Sequence, residues 1–382
     1  MADTLAALHT AFEKPGFDLG LDYRNNFIDL QRTPSGTLIK RAALLLNVAA
    51  LRELHAGRPD AACERLADLL RLVNLQRDER LVMSQIVRNL GAAFAWSTTW
   101  ELLQFPGWTY SQLAELQSAW QEMDFQRDML AALEMERAMT LDGFRQMRDS
   151  GSARAKVIRR LEQVTDFGGS ELTVLPTRGC VLHWIHVPLW RVTWVDQDAL
   201  HTLNGWQRAI EGGRAARSKS WNEARIVFAG GHRDAQEPPS DCLYDRWRYL
   251  LSSHALATDT IDEYLTSRAV RMEVQRRMTV TALALERYRL RHGMLPPNLE
   301  ALVPELLPAV PIDCMDGQSL RYQLRPDGSF LLYSVGEDCR DDGGNPGLPP
   351  DKKQSRGLWR GLDTVWPTPA SAEETAAVLG NG

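Results

Sequence analysis

The sequence contains no long apolar run. Its best candidate, residues 42–51, is interrupted by Asn47 and is flanked by Lys40, Arg41 and Arg52. Because a membrane-spanning helix needs roughly 18 or more consecutive apolar residues, we predict no membrane span in this chain. The N-terminal residues also lack a basic segment followed by an apolar one, so we expect no secretory signal peptide within the sequence.

Cysteine is scarce, and no two cysteines form a C-x-x-C pair. This spacing argues against a structural zinc finger and against a thioredoxin-type redox motif. Walker A, G-x-S-x-G, H-E-x-x-H and G-x-G-x-x-G motifs are missing as well, so no standard motif indicates an enzyme. The five cysteines are Cys63, Cys180, Cys242, Cys314 and Cys339.

The chain has no excess of positive charge. Its 44 lysines and arginines face 49 aspartates and glutamates, which leaves a net charge of −5. Binding to nucleic acid through phosphate neutralisation is therefore not expected. Hydrophobic residues make up 44% and charged residues 24%, which is typical of a folded soluble protein. A length of 382 residues predicts two to three domains.

Changes in composition divide the chain into four segments. Residues 1–36 are rich in proline and glycine and predict an irregular arm. Residues 37–150 predict a helical, solenoid-like domain, and residues 151–258 predict a mixed segment with short strands and a helix. Residues 259–382 predict a long helix followed by a small antiparallel sheet. We therefore expect an α+β fold that is predominantly α.

Within the helical domain, apolar residues recur at helical spacing. They predict a hairpin of two helices over residues 37–73, joined near Gly57 and Pro59, and further helices at about 78–104, 111–122 and 125–148. Ser111 is the predicted N-cap of the helix at 111–122. We interpret the four tryptophans of this domain as core residues rather than as an aromatic ligand groove. They are Trp96, Trp100, Trp108 and Trp120.

The middle segment carries the most enzyme-like cluster, Cys180-x-x-His183-x-x-His186, with Asp196 or Asp198 as an added carboxylate. Cysteine and histidine are zinc ligands. Residues 171–195, however, have the pattern of strands, in which side chains three apart point to opposite faces. We therefore interpret both histidines as partly buried core residues. The next segments predict a helix at 196–212 and loops at Gly230-Gly231 and Pro238-Pro239.

The final hundred residues have a recognisable order of elements. A long helix is predicted to start near Asp259 and to run to Arg291, where Gly293 supplies a C-cap and Pro296-Pro297 prevent continuation. A hairpin follows, with strands at 320–325 and 329–335 on either side of Pro326-Asp327-Gly328.

An ordered series of short motifs runs through residues 271–367. It consists of Ala284-Leu285 with Tyr288, His292-Gly293 with Pro296, Pro311 and Asp313 with Gly317, Ser334 with Gly336 and Asp338, and Asp363 with Trp366. This series resembles the major pseudopilin of bacterial type II secretion systems. Residues 37–290 resemble the helical parts of large bacterial proteins that carry the same block. The chain lacks the N-terminal apolar helix and processing site of a pseudopilin, so pilus assembly is not carried over.

The resemblance implies a calcium site in the acidic loop after the hairpin. Its ligands would be the carboxylates of Asp338 and Asp363 and the carbonyl of Val335, since Ca²⁺ prefers carboxylate and backbone oxygens. Glu337, Asp341 and Asp342 are further candidates. The alternative is a solvated acidic turn. In the same block, Cys314 and Cys339 take family positions usually held by proline and glycine, and either a disulfide or two free thiols would be compatible with the sequence.

The preferred interpretation is a non-catalytic structural or protein-binding protein with a calcium-stabilised, pseudopilin-like C-terminal domain. One alternative is a metal-dependent enzyme with a cleft that uses His183, His186, His232 or Asp196. Another is a helical adaptor that binds a partner's peptide through residues 37–150. We expect an extracytoplasmic or inner-membrane-associated location if an N-terminal anchor has been removed from the chain, and a cytoplasmic location otherwise. Protein partners are expected, and the sequence does not predict the oligomeric state.

Overall fold

Helices dominate the protein. The computed structural model describes residues 2–14, 18–23, 34–152, 185, 187–234, 248, 258–347 and 362–367. The α-helices in these ranges are α1 (Ala2–Phe12), α2 (Pro34–His55), α3 (Pro59–Leu75), α4 (Val82–Leu103), α5 (Tyr110–Gln121), α6 (Phe125–Asp149), α7 (Val187–Thr193), α8 (Val195–Ser218), α9 (Trp221–Asp234) and α10 (Thr258–His292). A 3₁₀ turn (Leu299–Leu302) and three strands follow: β1 (Arg321–Leu324), β2 (Phe330–Ser334) and β3 (Thr364–Val365). The predicted α+β fold, predominantly α, is confirmed.

The predicted helical layer is present from α2 to α6. The α2–α3 hairpin turns at Gly57, whose φ of 71° lies in the left-handed region that favours glycine. Pro59 occupies the first helical position, where its missing N–H costs no hydrogen bond. Leu66, Leu69 and Val73 form the fully buried stripe of α3. Trp96, Trp108 and Trp120 are buried in the same core, as the sequence predicts.

Two details of the N-terminal half correct the predictions. Residues 2–12 form α1 rather than part of an irregular arm, because Leu5, Leu8 and Phe12 follow helical spacing and pack on the core. The N-cap of α5 is Thr109, not Ser111. The Thr109 hydroxyl accepts the N–H of Gln112, and the Gln112 side chain accepts the N–H of Thr109, which is a capping box.

The middle segment also differs from its predicted pattern. Residues 187–193 form helix α7, although alternation at Trp190, Val192 and Trp194 predicts a strand. Val192 is 83% exposed whereas Trp190 is buried, so the period of two does not mark a buried face. The helix predicted at 196–212 is confirmed as α8. Gly230-Gly231 lie inside α9 rather than in a loop, and the remaining predicted strand residues, 171–184 and 186, lie outside the described residues.

Helix α10 is the central element of the fold and packs against α4, α5, α6, α8 and α9. It ends as predicted: Gly293 has a φ of 74°, and its N–H donates to the Arg289 carbonyl at 2.8 Å. The antiparallel sheet that follows has the order β1-β2-β3, with Arg321 opposite Tyr333 and Tyr333 opposite Val365. None of the helices within the described ranges is both long and apolar enough to span a membrane.

Candidate functional site

The acidic loop after β2 is organised around Asp363. Its carboxylate is buried and accepts three backbone N–H groups: Oδ1 accepts from Asp342 at 3.4 Å, and Oδ2 accepts from Gly344 at 2.8 Å and Asn345 at 2.9 Å. Burial raises the pKa of Asp363, an effect that these backbone donors oppose. In this structure Asp363 therefore holds the loop at residues 342–345 in place.

The other two predicted calcium ligands lie on an adjoining segment. The Asp338 carboxylate accepts the N–H of Arg340 at 3.1 Å. Val335 is fully buried, and its N–H donates to Asp313 at 3.0 Å. The two segments touch at Gly336, where an added Cβ would lie only 2.3 Å from the Leu362 carbonyl oxygen. The fold thus brings Gly336 to residues 362–363, and calcium binding by Val335, Asp338 and Asp363 stays a prediction.

Arginines already face two further acidic groups of this loop, Glu337 and Asp341. Glu337 forms an ion pair with Arg271. Asp341 accepts from the Gly343 N–H at 3.0 Å, from the Tyr333 hydroxyl at 3.0 Å and from Arg321 Nε at 3.2 Å, and these hydrogen bonds lower its pKa. These cations offset the mutual repulsion of the carboxylates, so the order of the loop does not require an added ion for that purpose.

Asp313 joins the motifs of the C-terminal block, a role that the sequence reasoning missed. Its fully buried carboxylate accepts the Ser334 hydroxyl at 2.8 Å and the N–H groups of Met315 and Val335, each at 3.0 Å. Burial raises its pKa against the effect of these donors. The sequence signal was available, because Asp313 and Ser334 both belong to the motif series.

Cys314 and Cys339 are free thiols in the structure, so of the two alternatives the structure has the unbonded one. Cys314 is buried, and Cys339 Sγ lies 3.4 Å from the carbonyl oxygen of Met315. Cys339 adopts a φ of 60°, which is unusual for a residue other than glycine. Glycine is the residue that adopts this conformation most readily.

Within the described part of the chain, the candidate enzyme residues do not come together in one site. His183 and His186 lie outside the described ranges, as does Cys180. Asp196 forms an exposed ion pair with Arg148. Asp198 is fully buried and accepts the indole N–H of Trp190 at 3.0 Å. His232 belongs to α9, so its predicted place in a loop is wrong.

A cleft of about 390 Å³ lies where the helical layer meets the C-terminal block. We call it the junction cleft. It lies between residues 103–106, the end of α10 and the β1–β2 turn, and Glu286 and Arg289 form an ion pair at 2.6 Å in it. Burial raises the pKa of Glu286. The apolar lining consists of Leu103, Phe105, Pro106, Ala282, Leu295, Phe330, Trp366 and Pro367.

Tryptophans of the helical layer position one wall of the junction cleft. Trp96 packs edge-on against Trp366, with ring centroids 6.5 Å apart. Trp100 donates its indole N–H to the Pro367 carbonyl at 2.8 Å. No local sequence pattern indicates this cleft, because Trp100 and Pro367, which meet in one wall, are 267 residues apart in the chain.

Comparison of the chain with protein-family models, with curated proteins and with solved structures gives no match.

Proposed function

We propose that this protein is non-catalytic and that it binds an extended segment of a partner protein in the junction cleft. The observation that carries the proposal is the cleft itself. It is an open concavity of mixed polar and apolar lining, with the aromatic rings of Phe105, Phe330 and Trp366 and one ion pair, formed where the helical layer contacts the C-terminal block. Its volume lies within the roughly 300–1,000 Å³ range of ligand pockets.

The walls of the cleft are held by contacts that do not involve a ligand. Trp366 is fixed by its packing on Trp96 and by the bond from its backbone N–H to the Leu332 carbonyl at 2.7 Å. Phe330 packs against Tyr322, whose hydroxyl donates to the Pro296 carbonyl at 2.8 Å. A preformed site binds more tightly than a flexible one, because little conformational entropy is lost on binding.

The ion pair specifies the chemistry of the partner. The Glu286 side chain is 15% exposed and that of Arg289 is 55% exposed, so the guanidinium is the group that an incoming chain meets. Arg289 contacts Glu286 through one terminal nitrogen, and a guanidinium has five N–H donors in a plane. We therefore expect the partner segment to carry a bulky apolar side chain next to an acidic residue.

Selection from a library of random displayed peptides, followed by fluorescence anisotropy with the selected peptides, tests this proposal. The enriched peptides are expected to share an apolar residue beside an acidic one. Arg289→Ala is expected to weaken their binding about tenfold, which corresponds to about 1.4 kcal/mol.

Arg214→Ala is the matched control. Arg214 forms an ion pair with Glu134 at 2.6 Å and is also 55% exposed, but it lies on α8, away from the cleft. Its loss is expected to leave peptide binding unchanged. Failure to enrich any peptide, or selected peptides that bind Arg289→Ala as tightly as the native protein, would contradict the proposal.

We further propose that the C-terminal block is pseudopilin-like and that Ca²⁺ stabilises its acidic loop through Asp338, Asp363 and the Val335 carbonyl. Support comes from the close approach of Gly336 to residues 362–363. The donor set suits calcium, because both side chains are carboxylates and an oxygen that accepts one N–H retains a second lone pair. In this proposal the ion rigidifies the block and has no catalytic role.

A further inference from the structure

Helix α1 contacts α3 through three side chains that are metal ligands in many proteins. His9 comes from α1, and Glu64 and Asp68 come from α3. One ligand atom of each lies within 4.8 Å of the other two, and no other His, Cys, Asp or Glu trio in the described part of the chain meets that criterion. The cluster shares no residue with the sequence motifs discussed above or with the lining of the junction cleft, so it does not depend on the proposed peptide binding.

The separations between His9 Nδ1 and the two carboxylates are close to those around a tetrahedral ion: one lies in the expected range and one is about 0.4 Å shorter. Bonds of about 2.0–2.2 Å at tetrahedral angles place ligand atoms about 3.3–3.6 Å apart. His9 Nδ1 lies 2.9 Å from Asp68 Oδ1 and 3.6 Å from Glu64 Oε1. Small side-chain adjustments would therefore admit an ion between the three atoms.

The two carboxylates are positioned by the helix that carries them. Glu64 and Asp68 are four residues apart on α3, a spacing that places side chains on the same face. Asp68 is fully buried and is oriented by Arg65 Nη1 at 3.2 Å and Arg71 Nη1 at 3.3 Å. Hydrogen bonds from neighbouring side chains commonly orient ligating carboxylates in this way.

The local charge permits a cation, although the two guanidinium groups oppose it. Arg71 also lies 4.0 Å from Glu115, so three carboxylates face the two arginines. The Glu64 side chain is 46% exposed and that of His9 is 32% exposed. This exposure gives an ion a path from solvent and leaves a coordination position for water.

We infer that His9, Glu64 and Asp68 form a binding site for one divalent transition-metal ion, which fastens α1 to α3. One imidazole nitrogen and two carboxylate oxygens are a donor set that suits Zn²⁺, with water as a fourth ligand. The ion joins two helices that otherwise meet through the apolar contacts of Leu5, Leu8 and Phe12 and the bonds of His9.

Titration of the full chain with Zn²⁺ and with Co²⁺ tests this inference. The native protein is expected to bind one Zn²⁺ ion, to melt at a higher temperature with Zn²⁺ than with EDTA, and to give the visible absorption of four-coordinate Co²⁺. His9→Gln and Glu64→Gln each replace a ligand by a polar side chain of similar size. Each is expected to weaken binding by at least about tenfold.

His55→Gln is the control. His55 Nε2 lies 2.6 Å from Glu101, and the described residues offer this pair no third metal ligand, so this variant is expected to bind metal as the native protein does. A native protein whose melting temperature and Co²⁺ spectrum do not respond to metal would overturn the site and leave an ion-pair cluster. Equal metal binding by the native protein, His9→Gln and Glu64→Gln would overturn it too.

Discussion

The helical layer and the C-terminal block bury carboxylates in different surroundings. In the helical layer, Asp128 on α6 is paired with Arg88 on α4 at 2.7 Å. In the C-terminal block, Asp313 and Asp363 each accept backbone N–H groups of loops, and Asp313 has Ser334 and, at 3.4 Å, Arg321 as additional side-chain partners. Helices satisfy their own backbone groups, so a carboxylate buried between them needs a side-chain partner. Loops leave N–H groups unpaired, and a buried carboxylate gives those groups an acceptor.

The largest expected effect comes from breaking the helical pair. Arg88 is fully buried, and its Nε also donates to the Val73 carbonyl at 2.9 Å. Asp128→Ala leaves this guanidinium buried without its counter-ion, which is expected to lower the free energy of unfolding by about 3–5 kcal/mol. Urea denaturation of the native protein and of the variant measures this change in the free energy of unfolding. Glu134→Ala, which breaks an exposed pair with Arg214, is expected to cost no more than about 1 kcal/mol. Equal losses of unfolding free energy in the two variants would contradict the distinction between buried and exposed ion pairs.

Glu136 sharpens the comparison because it is a buried carboxyl in the helical layer for which the structure shows one hydrogen bond and no ion pair. It accepts the Val82 N–H at 2.8 Å, and burial raises its pKa from 4.5 to about 7. Between these values the folded protein keeps a proton that the unfolded chain has lost, so stability falls as pH rises from about 4.5 to about 7.

Over that pH range the free energy of unfolding is expected to fall by about 3 kcal/mol in total, because each unit of pKa difference corresponds to about 1.4 kcal/mol. Glu136→Gln keeps an acceptor for the Val82 N–H but does not titrate. Denaturation at a series of pH values is expected to show this loss in the native protein and its removal in the variant. A parallel pH dependence in both proteins would contradict the assignment.

In the C-terminal block, Asp313→Ala is expected to lower the free energy of unfolding by about 2–3 kcal/mol. The substitution leaves the N–H groups of Met315 and Val335 without their acceptor in a buried site, and each unsatisfied group is costly. Asp327→Ala is the control, because Asp327 accepts the N–H of Ser329 in an exposed turn. If both variants unfold at the same denaturant concentration, Asp313 does not hold the block together.

The smallest effect concerns calcium. Ca²⁺ at about 1 mM is expected to stabilise the native protein by about 0.4–1.4 kcal/mol relative to EDTA, as for sites with dissociation constants of about 10⁻⁴–10⁻³ M. Asp338→Ala is expected to abolish the response in a thermal melt. Asp338 is a better choice than Asp363, whose removal would also release three backbone N–H groups. If the melting temperature is the same with Ca²⁺ and with EDTA, the calcium site is contradicted and the loop is an acidic turn held by its arginine ion pairs.

The contrast between regular helices and loops also explains which elements could be predicted from the sequence. Periodicity predicted the helices that bury a regular stripe, such as Leu66, Leu69 and Val73 in α3, and Gly293 predicted where α10 ends. Alternating large residues predicted a strand at 187–193, and this prediction was wrong. Trp190 and Val192 would lie on the same face of a strand, but Trp190 is buried and Val192 is exposed. The turn at Pro326-Asp327-Gly328 and the hairpin around it were predicted from local residue types.

The site depends on contacts that no local pattern encodes. The acceptor role of Asp363 requires residues 342–345, about twenty positions earlier, to fold back onto it. The junction cleft requires Trp96 and Trp100 to meet Trp366 and Pro367. Such long-range meetings follow from packing of the whole chain, and a single sequence shows only the side chains that take part.

Hydrogen exchange of the full chain, with and without a selected acidic–apolar peptide, tests the central claim most directly. Backbone amides gain protection where a ligand covers them or stabilises their local structure. The proposed function predicts slower exchange at residues 103–105 and 328–330, with no such change in Arg289→Ala at the same peptide concentration. Protection confined to other parts of the molecule would show that the junction cleft is not the binding site.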